Sequence, residues 1–399
     1  MRKKRDMIRL MFFMQQFPGF GGIETVTSNL AAYLHKDMEV YVFALKKVSG
    51  MPVPEGLKGI FIPGSRKRSK ITRYYNEVVR RHGITHVISQ GGFSKFTKVV
   101  LNPGRDKAVK VITALHGMPG YESPEFELLP QTLAARAGRG FQWKLYGWLG
   151  VTEKVLAMKK RKYCRRFSGS FRRACVEGDR MVLLSEGYIE SFIASYGVER
   201  YREKVVAIPN PCPTKYEAVV PAAKESKGNE VLYVGRLSRE KNVDCLLEVW
   251  SSIGKRAGWT FSVVGDGPAR QELEALVREK GIREVVFEGY SVEPERFYRR
   301  AKVLLLASEF EGLPMCLLEG ERFGVVPVSF DISAGVCDAV GDGGVIVPDR
   351  NTAGMASAVQ ELMEREEHWE EMSRRAFEHS RKFSVDAIGE QWKRLIMSL

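Results

Sequence analysis

The chain has no run of about 18 apolar residues, so nothing in it reads as a membrane span. Its six cysteines (Cys164, Cys175, Cys212, Cys245, Cys316, Cys337) form no Cys-x-x-Cys and no dense cluster. That usage suits a reduced, cytoplasmic chain and argues against a zinc site or a disulfide framework. No fixed-period repeat and no low-complexity tract is visible, which excludes solenoids and fibrous arrays. The N-terminal Met1-Arg-Lys-Lys-Arg5 and the MIRLMFFM stretch after Asp6 imitate a signal peptide only faintly. The apolar run is short, carries Arg9 and meets no small-residue cleavage site, so it is expected to be a buried first strand.

What is present is globular. At 399 residues and 45.1 kDa, with 44% hydrophobic and 28% charged residues, the chain calls for two or three domains. The net charge of +14 is unevenly placed. Residues 1–200 hold 35 Lys+Arg against 16 Asp+Glu, or +19, which leaves 27 against 32, or −5, for the rest. A basic half and a mildly acidic half imply different partners.

Short apolar runs alternate with amphipathic stretches. Strands are predicted at 8–14, 39–44, 85–89, 109–115, 181–184, 205–208, 230–234, 260–264, 285–288, 303–306, 325–329 and 344–347. Helical periodicity fits 23–35, 72–82, 242–254, 268–280, 314–323, 352–366, 368–383 and a final 384–399. Strands separated by helices imply βαβ units and parallel sheets covered on both faces. The pattern pauses after Ile208-Pro-Asn-Pro-Cys212, and 213–229 reads as a linker. The expected division is 1–212 and 213–383, with 384–399 free to pack back on the first domain.

Three strand ends in the second half carry the chemistry. VLYVGRLSREKNVD (231–244) runs into Gly235, with Arg236 and Lys241 flanking a short loop where both can reach one anion. FSVVGDGP (261–268) repeats the strand-to-glycine design. In VLLLASEFEGLPMCLLEG (303–320), Glu311 lies in the loop, Pro314 marks a helix start, and Glu319 sits inside the helix. The two carboxylates can hold different parts of one ligand lying across a helix N-terminus, whose free N–H groups suit phosphate. Open parallel sheets bind ligands at their carboxyl ends, so three such loops in one domain reinforce one another.

Arg236 with Lys241, the GDGP turn and Glu311-x7-Glu319, in that order, resemble the nucleotide-sugar-dependent glycosyltransferases of family four. The likeness extends through Phe17-Pro-Gly-Phe-Gly-Gly-Ile-Glu24, His116, Leu183-Leu-Ser-Glu186 and Ile208-Pro-Asn-Pro211. It implies the α/β GT-B fold: two Rossmann-like domains with parallel sheets facing each other across a cleft, acceptor-side first and donor-side second. It also implies a retaining reaction. By position, Arg236 and Lys241 would bind the donor diphosphate and stabilise the leaving group. Glu319 would take the ribose hydroxyls, and Glu311 would face the transferred sugar beside the backbone of Gly312, Leu313, Pro314 and Met315. His116 would contact the sugar or diphosphate. Gly21, Gly22 and Gly235 would allow close backbone approach, Asn210, in the turn that crosses into the second domain, would help bind the donor, and the base would lie near Phe287. One departure is Gly335-Val-Cys-Asp338 where the family often has Gly-Pro-x-Glu.

The resemblance implies no metal or other cofactor. No Asp-x-Asp of the kind that holds Mn²⁺ or Mg²⁺ is present, and the histidines are scattered. The expected substrates are a nucleoside-diphosphate sugar, UDP favoured, carrying a hexose or N-acetylhexosamine, and a glycan or lipid-linked acceptor. Basic clusters at 66–70, 80–81, 159–166 and 172–173, with Phe141, Trp143, Tyr146 and Trp148 before the last two, suit an anionic membrane surface. Expected placement is therefore cytoplasmic and peripheral to the membrane. Two other readings are a GT-B-fold nucleotide-sugar epimerase and a nucleic-acid binder. The first needs a carboxylate set that the sequence does not display. The second lacks any helix-turn-helix, zinc-finger or RNP-like signature.

Overall fold

The computed structural model describes residues 7–19, 21–48, 50, 53–91, 94–120, 153–220, 227–254 and 258–399. These fall into two compact units, one formed by the residues up to Pro213 together with Val385–Leu399, the other by Thr214–Ser384.

The first unit is built on seven strands: β1 (Arg9–Gln16), β2 (Glu39–Lys46), β3 (Leu57–Phe61), β4 (His86–Gln90), β5 (Lys110–Ala114), β6 (Arg180–Leu183) and β7 (Val205–Ala207). Their order is β3-β2-β1-β4-β5-β6-β7, and every pairing is parallel. The apolar N-terminal run is an interior strand, between β2 and β4, with Leu10 to Phe13 wholly buried. A strand covered on both faces must be apolar throughout rather than alternating, which is why this segment imitates a signal sequence. Helices α1 (Gly22–Leu34), α2 (Arg68–His82), α3 (Ser94–Val100), α4 (Glu153–Glu177) and α5 (Ile189–Tyr196) connect the strands.

The second unit has six parallel strands: β8 (Glu230–Val234), β9 (Thr260–Val264), β10 (Val285–Gly289), β11 (Val303–Leu306), β12 (Val326–Phe330) and β13 (Val345–Val347). They run β10-β9-β8-β11-β12-β13. Its helices are α6 (Val243–Ser252), α7 (Arg270–Glu279), α8 (Glu295–Arg300), α9 (Met315–Arg322), α10 (Ala334–Val340), α11 (Thr352–Glu364) and α12 (Glu366–Ser380). The core between helices and sheet gathers Val231, Tyr233, Trp250, Phe261, Leu305 and Val328. Both units share one topology, in which the strand order reverses beside the first strand, and each therefore has a switch point.

A last helix, α13 (Val385–Met397), belongs to the first unit. It lies on α1, where Lys393 Nζ reaches Asp37 Oδ2 at 2.6 Å and Gly389 abuts the Tyr33 ring. The apolar stripe Val385, Ile388, Trp392 and Ile396 is buried, as the amphipathic period of this segment requires.

The start of the presumed linker is packed structure. Tyr216 is 2% exposed, lies edge-on to Phe323, and its hydroxyl donates to Glu295. Arg322 Nε donates to the Tyr216 carbonyl. The Pro, Lys and Glu content that suggested a linker belongs here to a short turn pinned by one aromatic anchor.

Candidate functional site

The loops that follow β8 and β11 flank the switch point of the second sheet, because β8 and β11 are parallel neighbours whose following strands, β9 and β12, lie toward opposite edges. These loops carry Gly235, Arg236 and Lys241 on one side and Glu311 on the other. Lys241 Nζ lies 2.6 Å from Glu311 Oε1, and Ser308 Oγ donates to the same oxygen at 2.7 Å. The two loops are also joined through the backbone, Glu309 N donating to Glu240 O at 2.8 Å. Burial alone would lower the Lys241 ammonium, but the adjoining Glu311 carboxylate outweighs it and holds the group above its ordinary range. Arg236 is exposed, and its guanidinium has no partner among the described residues. The site therefore presents one free cation and one cation balanced by a carboxylate.

The shape of the Arg236–Lys241 loop follows from buried groups beneath it. The Tyr233 hydroxyl donates to the Arg236 carbonyl at 3.0 Å, and Leu237 N donates to Asp266 O. Gly265 has φ +140°, and a Cβ there would stand 1.8 Å from the Gly235 carbonyl oxygen. The glycines of GDGP are thus demanded by the packing of one loop on the other.

Glu311 also gains support from the far side. Ser333 Oγ donates to the Glu311 carbonyl at 3.1 Å while accepting from Val336 N as the N-cap of α10. After Glu311, the buried Gly312, Leu313 and Pro314 lead into α9 at Met315. Pro314 is the N-cap and offers no side-chain acceptor, so the first N–H groups of α9 are not taken by a capping side chain. Glu319 lies one turn and more into α9. Its Oε2 accepts from the Tyr298 hydroxyl at 3.1 Å, and burial raises the carboxyl to about 7. Cys316, one turn before Glu319, is an ordinary thiol pushed up to about 12 by burial and then by Glu311.

Phe287 is the predicted neighbour of the base. Its ring packs against the core of the second unit, so it offers the strand backbone near Gly289 rather than an aromatic face.

In the first unit, the loops after β1 and β4 flank the corresponding switch point. Gly21 is the N-cap of α1 with φ +146°, a value that disfavours a side chain, and Gly22 is the first helical residue. Glu24 stands in the first turn, raised by burial and bonded by Gln16. His116 follows β5. Its Nε2 is 2.7 Å from Gln90 Oε1, and Gln90 Nε2 donates to Thr27 Oγ1 in α1. With Gln90 accepting, Nε2 carries the proton, and the buried Nδ1 keeps its lone pair with no hydrogen-bond partner among the described residues. Burial lowers His116 to about 4, so the ring is neutral at pH 7.

Gln90, Ser308, Ser333 and Tyr298 escaped the sequence reading. Each acts on a residue that reading had named, and none stands in a recognisable spacing with it. Among the described residues there is no group of three His, Cys, Asp or Glu that could hold a metal ion. No described helix is long and apolar enough to cross a membrane.

Of the basic clusters, Arg66, Arg68, Lys70, Arg80, Arg81, Arg165, Arg166 and Arg172 are exposed. Arg173 is engaged internally, with Nη2 donating to the Leu101 carbonyl and Nε to Glu177. Phe141, Trp143, Tyr146 and Trp148 lie outside the described residues.

Two Rossmann-like units, each with a parallel sheet ordered about a switch point, make this a GT-B fold. Within it, residues 217–379 match the family described as "Glycosyl transferases group 1". A curated relative in Campylobacter jejuni is 32% identical over 202 residues, which cover 50% of this chain and 56% of that protein. It is named a GalNAc-alpha-(1->4)-GalNAc-alpha-(1->3)-diNAcBac-PP-undecaprenol alpha-1,4-N-acetyl-D-galactosaminyltransferase. The chain spans about half the length of the first curated relatives it matches, 48% and 56%. Among solved structures, the lipopolysaccharide outer core galactosyltransferase WaaB superposes with a TM-score of 0.69 at 19% identity, over 98% of this chain and 99% of WaaB. HepE of Anabaena, in complex with UDP and glucose, superposes with a TM-score of 0.70 at 16% identity, over 98% of this chain and 100% of HepE.

Proposed function

We propose that the protein is a retaining glycosyltransferase of family four. It moves a hexose or N-acetylhexosamine from a nucleoside-diphosphate sugar to a glycan or lipid-linked acceptor in the synthesis of cell-surface polysaccharide or glycolipid. The observation that carries this reading is the switch-point cluster: exposed Arg236, the Lys241–Glu311 pair, and Glu319 on the helix that follows. Arg236 and Lys241 bind the diphosphate and stabilise its charge as the anomeric C–O bond breaks. Glu319 accepts from the ribose hydroxyls. Glu311 faces the transferred sugar, and His116, neutral, offers a hydrogen bond without charge. The acceptor oxygen attacks the face that the diphosphate leaves, and its proton passes to a phosphate oxygen. The two cations supply the charge stabilisation, and no metal is required of this site.

UDP is the favoured donor nucleotide, a choice supported by the UDP in the HepE complex. The exposed basic residues of the first unit suit an anionic membrane surface, consistent with a cytoplasmic, peripheral placement. Sedimentation with vesicles containing anionic lipid, against neutral vesicles, tests that part alone.

The test of the activity is thermal unfolding with UDP, GDP, CDP and their sugars, without metal. A ligand at about 100 times its Kd adds about 2.7 kcal/mol to stability. A melting shift with one nucleotide, absent in Lys241→Ala, supports the reading. No shift with any of them removes it.

A further inference from the structure

The Tyr298 side chain is wholly buried, yet its hydroxyl is aimed at a single partner, Glu319 Oε2, 3.1 Å away. No other hydrogen bond engages Glu319 among the described residues, so Oε1 is left for a ligand. Tyr298 is itself fixed from three sides. Its ring stacks on Phe323 with centroids 5.8 Å apart. Lys227 Nζ, buried, donates to the carbonyls of Tyr298 and Ala301 at 2.9 and 2.8 Å, which closes the end of α8. Gly320 lets α9 lie close to this ring, for a Cβ there would stand 2.8 Å from Leu304 and 3.7 Å from Tyr298. A buried hydroxyl held so firmly on one oxygen of a carboxylate fixes where that carboxylate points and favours its charged form against burial.

We propose that Tyr298 is a positioning residue for the nucleotide. By donating to Glu319 Oε2 it fixes the orientation of the carboxyl group and presents Oε1 to the vicinal hydroxyls of a ribose. This inference rests on the donor-site reading above. The groups acting on Glu319 are the Tyr298 hydroxyl, Lys215, which favours its charge, and Glu295, which opposes it. The nearby Cys316 thiol stays protonated through the neutral range. Burial raises Glu319 to about 7, and of its neighbours Tyr298 lowers it most. Losing that donor moves the carboxyl further toward its neutral form and leaves it a poorer acceptor.

The experiment is calorimetric titration of the full chain with UDP, or with whichever of UDP, GDP and CDP shifts its melting, from pH 6 to 9. Wild type, Tyr298→Phe, Glu319→Gln and the double variant are compared. The ligand's own titration is common to all four proteins and cancels. Tyr298→Phe removes one oxygen and is expected to weaken binding about three- to tenfold at pH 7, recovering most of the loss by pH 9, as a charge-assisted bond of ordinary strength implies. In the Glu319→Gln background the same change has no pH-dependent effect. A loss of equal size at every pH, or no loss, overturns the role given to Tyr298. If Glu319→Gln leaves binding unchanged, the ribose assignment itself fails. If no nucleotide binds wild type, the donor site fails and this inference with it.

Discussion

Lys241 Nζ and Glu311 Oε1 stand 2.6 Å apart, from loops that follow neighbouring strands on opposite sides of a switch point. The lysine side chain is 25% exposed and the glutamate 14%, so the pair is largely withdrawn from water without being sealed. A diphosphate arriving at this point competes with the carboxylate for the same ammonium.

Two substitutions at this pair should therefore differ in their effect on nucleotide affinity, only one of them weakening it. Glu311→Gln removes the competitor, and UDP is expected to bind as tightly as to wild type or about two- to tenfold tighter, with turnover reduced at least about a hundredfold. Lys241→Ala removes the anion's partner and strands Glu311, so the UDP-induced melting shift disappears. The unliganded protein loses about 1–3 kcal/mol. Calorimetry and melting curves on both variants decide it. Weaker UDP binding in Glu311→Gln would show that the carboxylate helps hold the nucleotide.

The glycine at 265 is expected to be intolerant for a reason unrelated to ligands. Alanine there must accept a strained backbone at φ +140° and a Cβ 1.8 Å from the Gly235 carbonyl oxygen. Strain and overpacking together are expected to cost about 3 kcal/mol or more. Melting of unliganded Gly265→Ala is the measurement. A near-wild-type midpoint would mean that the two loops can separate freely.

How much of this could be read beforehand depended on burial and length. Strands 230–234, 260–264 and 303–306 fall where their apolar runs place them, because interior parallel strands are apolar on both faces. β3 was missed: it is an edge strand, half-buried along its length, and Lys58 interrupts its only apolar signal. Helices α3, α8 and α10, at six or seven residues, are too short to show a period. The start of α2 was read four residues late because Arg68, Ser69 and Lys70 precede its first buried residue, Ile71. At the site, strand ends and charged residues were legible as local patterns. The pairing of Lys241 with Glu311 was not, since 70 residues separate them and only the strand order brings them together.

The last helix is held by a glycine, which permits a direct test of its role. A Cβ on Gly389 would stand 2.4 Å from Tyr33 Cδ1, near the root of a ring that cannot swing away without moving α1. Gly389→Val should loosen α13 despite the removal of a poor helix former. Limited proteolysis should then cut near the α12–α13 junction at Ser384 several-fold faster than in wild type. Lys393→Ala, which removes only the exposed-side bond to Asp37, is expected to change the rate less than about twofold. Equal rates in all three proteins would place the anchorage elsewhere on the helix.

A buried acid beneath the candidate site should tilt the pH dependence of stability in a direction opposite to the usual one. Glu321 has no exposure, and burial raises its carboxyl well above the ordinary range. Its Oε2 lies 2.9 Å from His379 Nδ1 and its Oε1 has no partner among the described residues, the pattern of a neutral carboxyl donating to a neutral ring. Asp342 raises Glu321 further and Lys382 opposes it. An acid raised on folding stabilises fully below its unfolded value near 4.5, and that contribution is lost as pH rises toward the folded value. His379, lowered chiefly by burial, has the opposite slope: its contribution is present above 6.5 and is lost as pH falls. Glu321→Gln keeps a donor for Nδ1 while deleting the acid. The variant is expected to gain stability over wild type progressively from pH 5 to pH 8, with its remaining loss on acidification set by His379. Denaturant titrations at several pH values supply the curves. A constant difference between the two proteins across that range would mean that Glu321 takes up no proton on folding, contrary to a carboxyl raised by burial.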